Sequence, residues 1–219
     1  MKAAIVYFSG TGNTFRVGEV FKAYLETINY QVDMIDIAKY KEKLKDYDLF
    51  IAGTPSYTKT SSYNMYEFIE KNINKNNNPK ANFITYVTQS WGIAFGHLTI
   101  KDFVEKKGFE VLGARAFLAP SNFYMYNEKE QPKSDEKEMH QLYQNIYKGV
   151  WNLMDSYVKG HVQIDKRSTF QKIKMVIVSK LLKKIFITKF SKSALEVDSE
   201  KCRRKESFSF LKMTNITKK

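Results

Sequence analysis

Five short apolar runs, separated by stretches with helical spacing, constrain this chain more than any other feature. Ala3-Ala4-Ile5-Val6-Tyr7-Phe8 reads as a buried strand by its length and β-branching, and it ends abruptly at Ser9-Gly10. Residues 13–28 place Phe15, Val17, Val20, Phe21, Tyr24, Leu25 and Ile28 on one helical face. Residues 31–37 predict a second strand, with Met34 or Ile35 as its central apolar position. Residues 48–54 predict a third, stopped by Pro55, and residues 82–88 and 109–118 a fourth and a fifth. Helices are predicted over 65–73 and 98–107, and from a Ser134-Asp135-Glu136 cap to about residue 159. Alternation of this kind implies an α/β domain with a doubly wound parallel sheet and helices on both faces. Ligands of such sheets sit beyond the carboxyl ends of the strands. Chemistry is therefore expected after Phe8, Thr54 and Thr88.

Charge divides the chain. The net +13 arises almost wholly from the last quarter: residues 1–165 hold 20 Lys/Arg against 19 Asp/Glu, and residues 166–219 hold 16 against 4. A protein-wide basic face for specific nucleic-acid binding would not stop at one residue. No uncharged apolar run approaches the roughly 18 residues of a membrane-spanning helix. The single Cys202 excludes an internal disulfide framework and a multi-thiolate zinc site. His97, His140 and His161 show no metal-ligand spacing. Met1-Lys2 runs straight into the first strand without a signal peptide, so a cytoplasmic location is expected.

Ser9-Gly10-Thr11-Gly12-Asn13-Thr14 follows the first strand and opens directly into a helix. Its hydroxyls can donate to phosphate oxygens, its glycines admit close backbone approach, and the helix N-terminus adds donors and favourable partial charge. The loop has no Lys or Arg, which suits a single terminal monophosphate better than a triphosphate. The P-loop lysine is missing, and Phe15 occupies the third glycine position of a dinucleotide fingerprint.

Ile5-Val6-Tyr7-Phe8-Ser9-Gly10-Thr11-Gly12-Asn13-Thr14 resembles the FMN-phosphate signature of flavodoxins, hydroxyl for hydroxyl, and the resemblance covers about residues 1–159. Gly53-Thr54-Pro55-x-Tyr57, Lys107-Gly108-Phe109-Glu110-Val111 and Ala119-Pro120-Ser121-Asn122-Phe123-Tyr124 are similar to the flavodoxin half of bacterial flavodoxin–ferredoxin fusion proteins. The resemblance implies a five-stranded sheet of order 2-1-3-4-5, FMN as cofactor, and electron transfer without a catalytic side chain or a metal. It also implies that the loops Thr54-Pro55-Ser56-Tyr57 and Thr88-Gln89-Ser90-Trp91-Gly92 flank the isoalloxazine ring. Tyr57 and Trp91 would be its walls, and Gly92 and Gly96 would admit backbone to the ring. Family members commonly carry a glycine and a proline soon after that tyrosine; this chain has Lys59-Thr60-Ser61-Ser62-Tyr63. Residues 121–126 are read either as a lid or partner-docking segment or as a satellite apolar cluster.

Beyond the domain, residues 161–192 read as a basic amphipathic linker helix, with Phe170, Ile173, Val176, Ile177, Leu181 and Leu182 among lysines. Packing on a neighbouring domain, an acidic partner or an anionic membrane surface would each suit Lys172 to Lys192. Cys202 is followed by Arg203-Arg204-Lys205 rather than the further cysteines a cluster motif needs. Residues 193–219 are thus expected to be a disordered remnant of a ferredoxin domain that is not present. The partner expected for the flavodoxin-like part is another redox protein, such as a ferredoxin. Two other readings stand beside electron carriage: an FMN-dependent NAD(P)H oxidoreductase acting on a quinone or similar small acceptor, and a non-redox module that has lost FMN.

Overall fold

Successive residues of a strand face opposite sides of its sheet, and here both sides are apolar. In the computed structural model, which describes residues 1–57, 60–90, 94–121, 135–166 and 177, six strands form one sheet. They are β1 (Lys2–Tyr7), β2 (Gln31–Asp36), β3 (Leu49–Pro55), β4 (Asn82–Gln89), β5 (Glu110–Leu118) and β6 (Gln163–Ile164). Four helices connect or flank them: α1 (Asn13–Thr27), α2 (Tyr63–Asn72), α3 (Gly96–Lys106) and α4 (Glu136–Val158). The order is β2-β1-β3-β4-β5-β6, and every pairing is parallel. This is the α/β flavodoxin-like architecture expected, with one correction: the sheet has six strands, not five.

The added strand pairs Gln163 with Gly113 and Ile164 with Ala114 on the free edge of β5. Two residues leave no periodicity to read, and they follow a helix end marked by Gly160 at φ 72°. Asp165 continues the attachment: its N–H donates to Ala114 O at 2.9 Å and its Oδ2 accepts from Ala116 N–H at 3.0 Å. β3 also runs one residue further than its proline suggested. Pro55 lies opposite Thr88 as the last residue of the strand, where a missing N–H interrupts no further ladder.

Helices cover both faces of the sheet. Ala4, Val6, Phe50 and Phe83 pack with Met65 and Ile69 of α2 and with Ile100 and Val104 of α3. Ala3, Ile5, Ile51 and Ile84 pack with Phe21 and Leu25 of α1 and with Val150 and Met154 of α4. In β2, Met34 joins the second group and Ile35 the first. Asp135 caps α4 by accepting from Glu138 N–H at 2.7 Å. No helix among the described residues is long and apolar enough to cross a membrane. The chain divides into Met1–Lys166 and Arg167–Lys219. Residues 161–166 of the expected linker helix are described and carry β6 on the sheet instead; of the second unit only Ile177 is described, so the rest of that reading, the remnant and residues 122–126 lie outside the described residues.

Candidate functional site

All strands being parallel, the carboxyl ends of β1, β3, β4 and β5 share one edge of the sheet. β1 is prolonged by Phe8, whose N–H donates to Gly53 O at 3.0 Å. The chain then turns into α1 through Gly12, at φ 93°, a left-handed conformation that glycine adopts without a steric penalty. Ser9 Oγ organises the turn, accepting from Gly12 N–H at 3.1 Å and Phe15 N–H at 3.2 Å. A hydroxyl that accepts twice still carries one proton to donate. The first turn of α1 has no acidic residue to offset its positive end.

The three hydroxyls that look alike in sequence stand in different places. Thr11 is exposed and Ser9 half-buried. Thr14 is 1% exposed, with Oγ1 2.8 Å from Thr88 Oγ1 and its carbonyl accepting the Tyr86 hydroxyl at 2.9 Å. It fastens the loop to β4 from within. Asn13 reaches the other way: its Nδ2 donates to Pro120 O at 2.9 Å, and Ala119 N–H donates to Gln89 O at 2.8 Å. The chain after β5 is thus laid against the first loop.

On the β3 side, Ser56 N–H donates to Thr88 O at 2.8 Å, tying the loop after β3 to the end of β4. The Tyr57 ring meets Phe8 edge-on at 6.5 Å, and a Cβ added to Gly10 would lie 3.7 Å from the Tyr57 hydroxyl. Tyr57 therefore leans from the third strand's loop over the first. The residue is 36% exposed, yet burial of its hydroxyl end raises the phenol pKa to about 12, so it stays protonated at neutral pH. Thr54 is fully buried, with Oγ1 2.8 Å from Ser62 Oγ. Gln89, at the end of β4, has a buried Oε1 without a hydrogen-bond partner among the described residues. Ser90 is exposed; Trp91 and Gly92 lie outside the described residues. At Gly96, the close backbone approach is to the chain itself: an added Cβ would fall 2.6 Å from Ser61 N.

The structure thus brings Ser9, Gly10, Thr11, Gly12, Asn13, Thr14, Ser56, Tyr57 and Thr88 to one edge. Reading the sequence missed the Thr14–Thr88 and Asn13–Pro120 contacts and the roles of Ser61, Ser62, Tyr66 and Thr99. Thr14–Thr88, Asn13–Pro120 and Tyr66–Thr99 are 74, 107 and 33 residues apart, and no local spacing signals them. Among the described residues no group of His, Cys, Asp and Glu could hold a metal ion.

A family model described as a flavodoxin domain matches residues 4–186. The chain belongs to the flavodoxin domain family. Solved structures similar to it include a flavodoxin from the domain Archaea, at 18% identity over 70% of this chain and 99% of that one, TM-score 0.47. Flavodoxin 1 from Bacillus cereus aligns at 11% identity over 71% and 98% of the two chains, TM-score 0.47. A flavoprotein in complex with FMN from Lactobacillus acidophilus NCFM aligns at 14% over 52% and 92%, TM-score 0.41. No curated protein matches. In this flavodoxin domain the first loop, the β3 loop and the end of β4 are joined by hydrogen bonds through Thr14, Ser56 and Thr88.

Proposed function

We propose that this flavodoxin domain binds FMN and carries electrons between redox proteins, with a ferredoxin as one suitable partner. The observation that carries the reading is the cation-free glycine–hydroxyl loop opening α1 at the end of β1, overlaid by Tyr57. Neutral hydroxyls, backbone N–H groups and a helix N-terminus together fit one terminal monophosphate. Ser9, Thr11, Thr14 and the first-turn amides of α1 would hold that phosphate. Tyr57, with Trp91 assigned from sequence, would wall the ring. The buried Gln89 Oε1 offers an acceptor for an N–H on the ring's polar edge, and meeting it would remove an unsatisfied buried oxygen.

When bound, FMN supplies reversible uptake and release of electrons. The chain's part is to hold, orient and shield: Thr14 and Asn13 fix the phosphate loop, and Tyr57 covers the mouth without a charge. Electron carriage requires no side-chain acid or base. The resemblance to flavodoxin–ferredoxin fusion proteins supports a ferredoxin-type partner, and the near-neutral domain beside a basic stretch supports an acidic one.

The test is the visible spectrum of the purified protein after addition of FMN, followed by stepwise reduction. A bound flavin that a reduced ferredoxin reduces, and that reduced nicotinamide alone leaves oxidised, is expected. Protein that stays colourless in excess FMN overturns the cofactor; bleaching by nicotinamide alone overturns the carrier in favour of an oxidoreductase.

A further inference from the structure

Between Tyr57 and Tyr63, in the turn after β3, the chain has neither glycine nor proline. Tyr57 and Thr60 exchange backbone hydrogen bonds, N–H to O at 2.9 Å and 3.0 Å, and Thr60 Oγ1 adds a third bond to Tyr57 O at 3.1 Å. Its return leg, Ser61-Ser62, is buried. Ser62 is fixed to β3 through Thr54, its N–H donating to Thr54 Oγ1 at 3.2 Å. Ser61 is fixed differently.

Ser61 Oγ bonds the Tyr66 hydroxyl, which lies 2.6 Å from Thr99 Oγ1, and Thr99 Oγ1 lies 3.0 Å from Gly96 O. Thr99 donates to the Gly96 carbonyl and Ser61 to Tyr66, and Ser61 Oγ also lies 3.3 Å from Thr99 Oγ1, so the three hydroxyls form a closed cluster that runs from Ser61 to Gly96 O. Its two ends are also in backbone contact, because the Gly96 position admits no Cβ without a clash at Ser61 N, 2.6 Å away. Ser61 closes the β3 loop, and Gly96 closes the loop that leaves β4. The network therefore spans the two loops that flank the proposed ring site, with Tyr66 of α2 and Thr99 of α3 between them. Helix packing does not need these hydroxyls: the Tyr66 ring already meets Phe103 edge-on at 5.2 Å.

We infer that Ser61, Tyr66, Thr99 and Gly96 are positioning residues that clamp the Tyr57–Thr60 turn to the start of α3 and so set the ring wall. The inference rests on the FMN reading for what the wall faces, but the clamp belongs to the chain alone. Tyr66→Phe and Thr99→Val each remove one hydroxyl and keep the shape; Thr99→Ser restores it. Tyr143→Phe, which removes a hydroxyl on α4 that bonds Arg16, is the control.

Amide hydrogen exchange on FMN-free protein is expected to quicken about three- to tenfold at Tyr57 and Thr60 in Tyr66→Phe and Thr99→Val, the scale of one net hydrogen bond. It should stay unchanged at Phe83 in β4, and return to normal in Thr99→Ser. In titrations the same two variants should weaken FMN and riboflavin by a common factor of about three to ten, because the wall and not the phosphate loop is loosened. Unchanged exchange at Tyr57 and Thr60 overturns the clamp whatever FMN does. Faster exchange with unchanged affinity, in protein that binds FMN, overturns the positioning role. Failure of the unaltered protein to bind FMN overturns the cofactor reading and the ring's place in the inference, while exchange still decides whether the clamp exists.

Discussion

Thr14 does two things that its neighbours in the loop do not. Its carbonyl receives the Tyr86 hydroxyl and its own hydroxyl meets Thr88, so it is both a wall of the core and a member of the loop proposed to hold phosphate. Tyr86 reaches it because residue 53 is glycine: a Cβ there would sit 2.0 Å from the Tyr86 ring. Thr11 is exposed. Replacing both, as Thr11→Ala with Thr14→Val, is expected to weaken FMN by on the order of a hundredfold and riboflavin far less. Two hydrogen bonds to a charged group, at about 1.5–3 kcal/mol each, would exceed that factor, and backbone donors keep part of the grip. Flavin fluorescence titration separates the ligands; equal losses would remove the loop's assignment to phosphate. Thr14→Val leaves the buried Thr88 hydroxyl unpaired, so it should also lower the denaturant midpoint.

At the scale of elements, the amino ends of β1 and β2 are joined to the start of β3 by a small polar network. Tyr47 donates its hydroxyl to Asp33 Oδ2 at 2.7 Å, Lys2 Nζ lies 3.2 Å from the same oxygen and 4.4 Å over the Tyr47 ring, and Lys2 N–H donates to Asp48 Oδ2 at 2.8 Å. The Tyr47 hydrogen bond, aided by Lys2 and opposed by desolvation, holds the Asp33 carboxyl below the usual carboxylate range. A depressed folded pKa gives stability that is present above the unfolded value, about 3.9, and is lost as pH falls through the folded value. Urea midpoints should therefore fall on acidification below about pH 4, and fall less steeply in Asp33→Asn, which has no such proton to take up. Identical acid slopes in the two proteins would remove Asp33 from the balance. Elements were the most legible level of the sequence, for a physical reason. β1, β3 and β4 are apolar on both faces and each stops at a polar or glycine-rich end, so runs of single residues sufficed to place them and the loops beyond them. β2 was less clear because Met34 and Ile35 serve opposite faces, and only Ile35 is buried. β6 was invisible because its stability comes from the β5 edge and from Asp165 rather than from its own two residues. The hydroxyl partners of the site were invisible too, since any of many serines and threonines satisfies the same local pattern and only the folded sheet selects among them.

Along the whole chain a near-neutral α/β domain is followed in sequence by a strongly basic stretch, and the last strand decides where the domain can be cut. Asp165 binds Ala116 N–H through Oδ2, and the same oxygen lies 3.3 Å from Nε2 of His97, which is fully buried at the start of α3 and without hydrogen-bond alignment. Ending the chain after Lys159 would remove β6 and Asp165 together. It would expose the β5 edge, leave Ala116 N–H unpaired and take away a carboxylate beside a buried imidazole. Ending it after Lys166 removes none of these and still deletes 15 of the 16 basic residues of the C-terminal stretch. The longer fragment is expected to keep the thermal midpoint and FMN affinity of the full chain, and the shorter one to lose several degrees, because a few kcal/mol spread over a domain of this size shift the midpoint by that much. Both fragments should lose any association with acidic proteins or anionic vesicles that weakens between 0.05 M and 0.5 M salt, since such charges act over about 10 Å at 0.1 M and are screened beyond it. Calorimetry and vesicle sedimentation read the two effects separately. A fragment ending at Lys166 that is insoluble or loses FMN would show that the basic stretch supports the flavodoxin domain rather than merely following it. That result would be consistent with a family match that continues to residue 186.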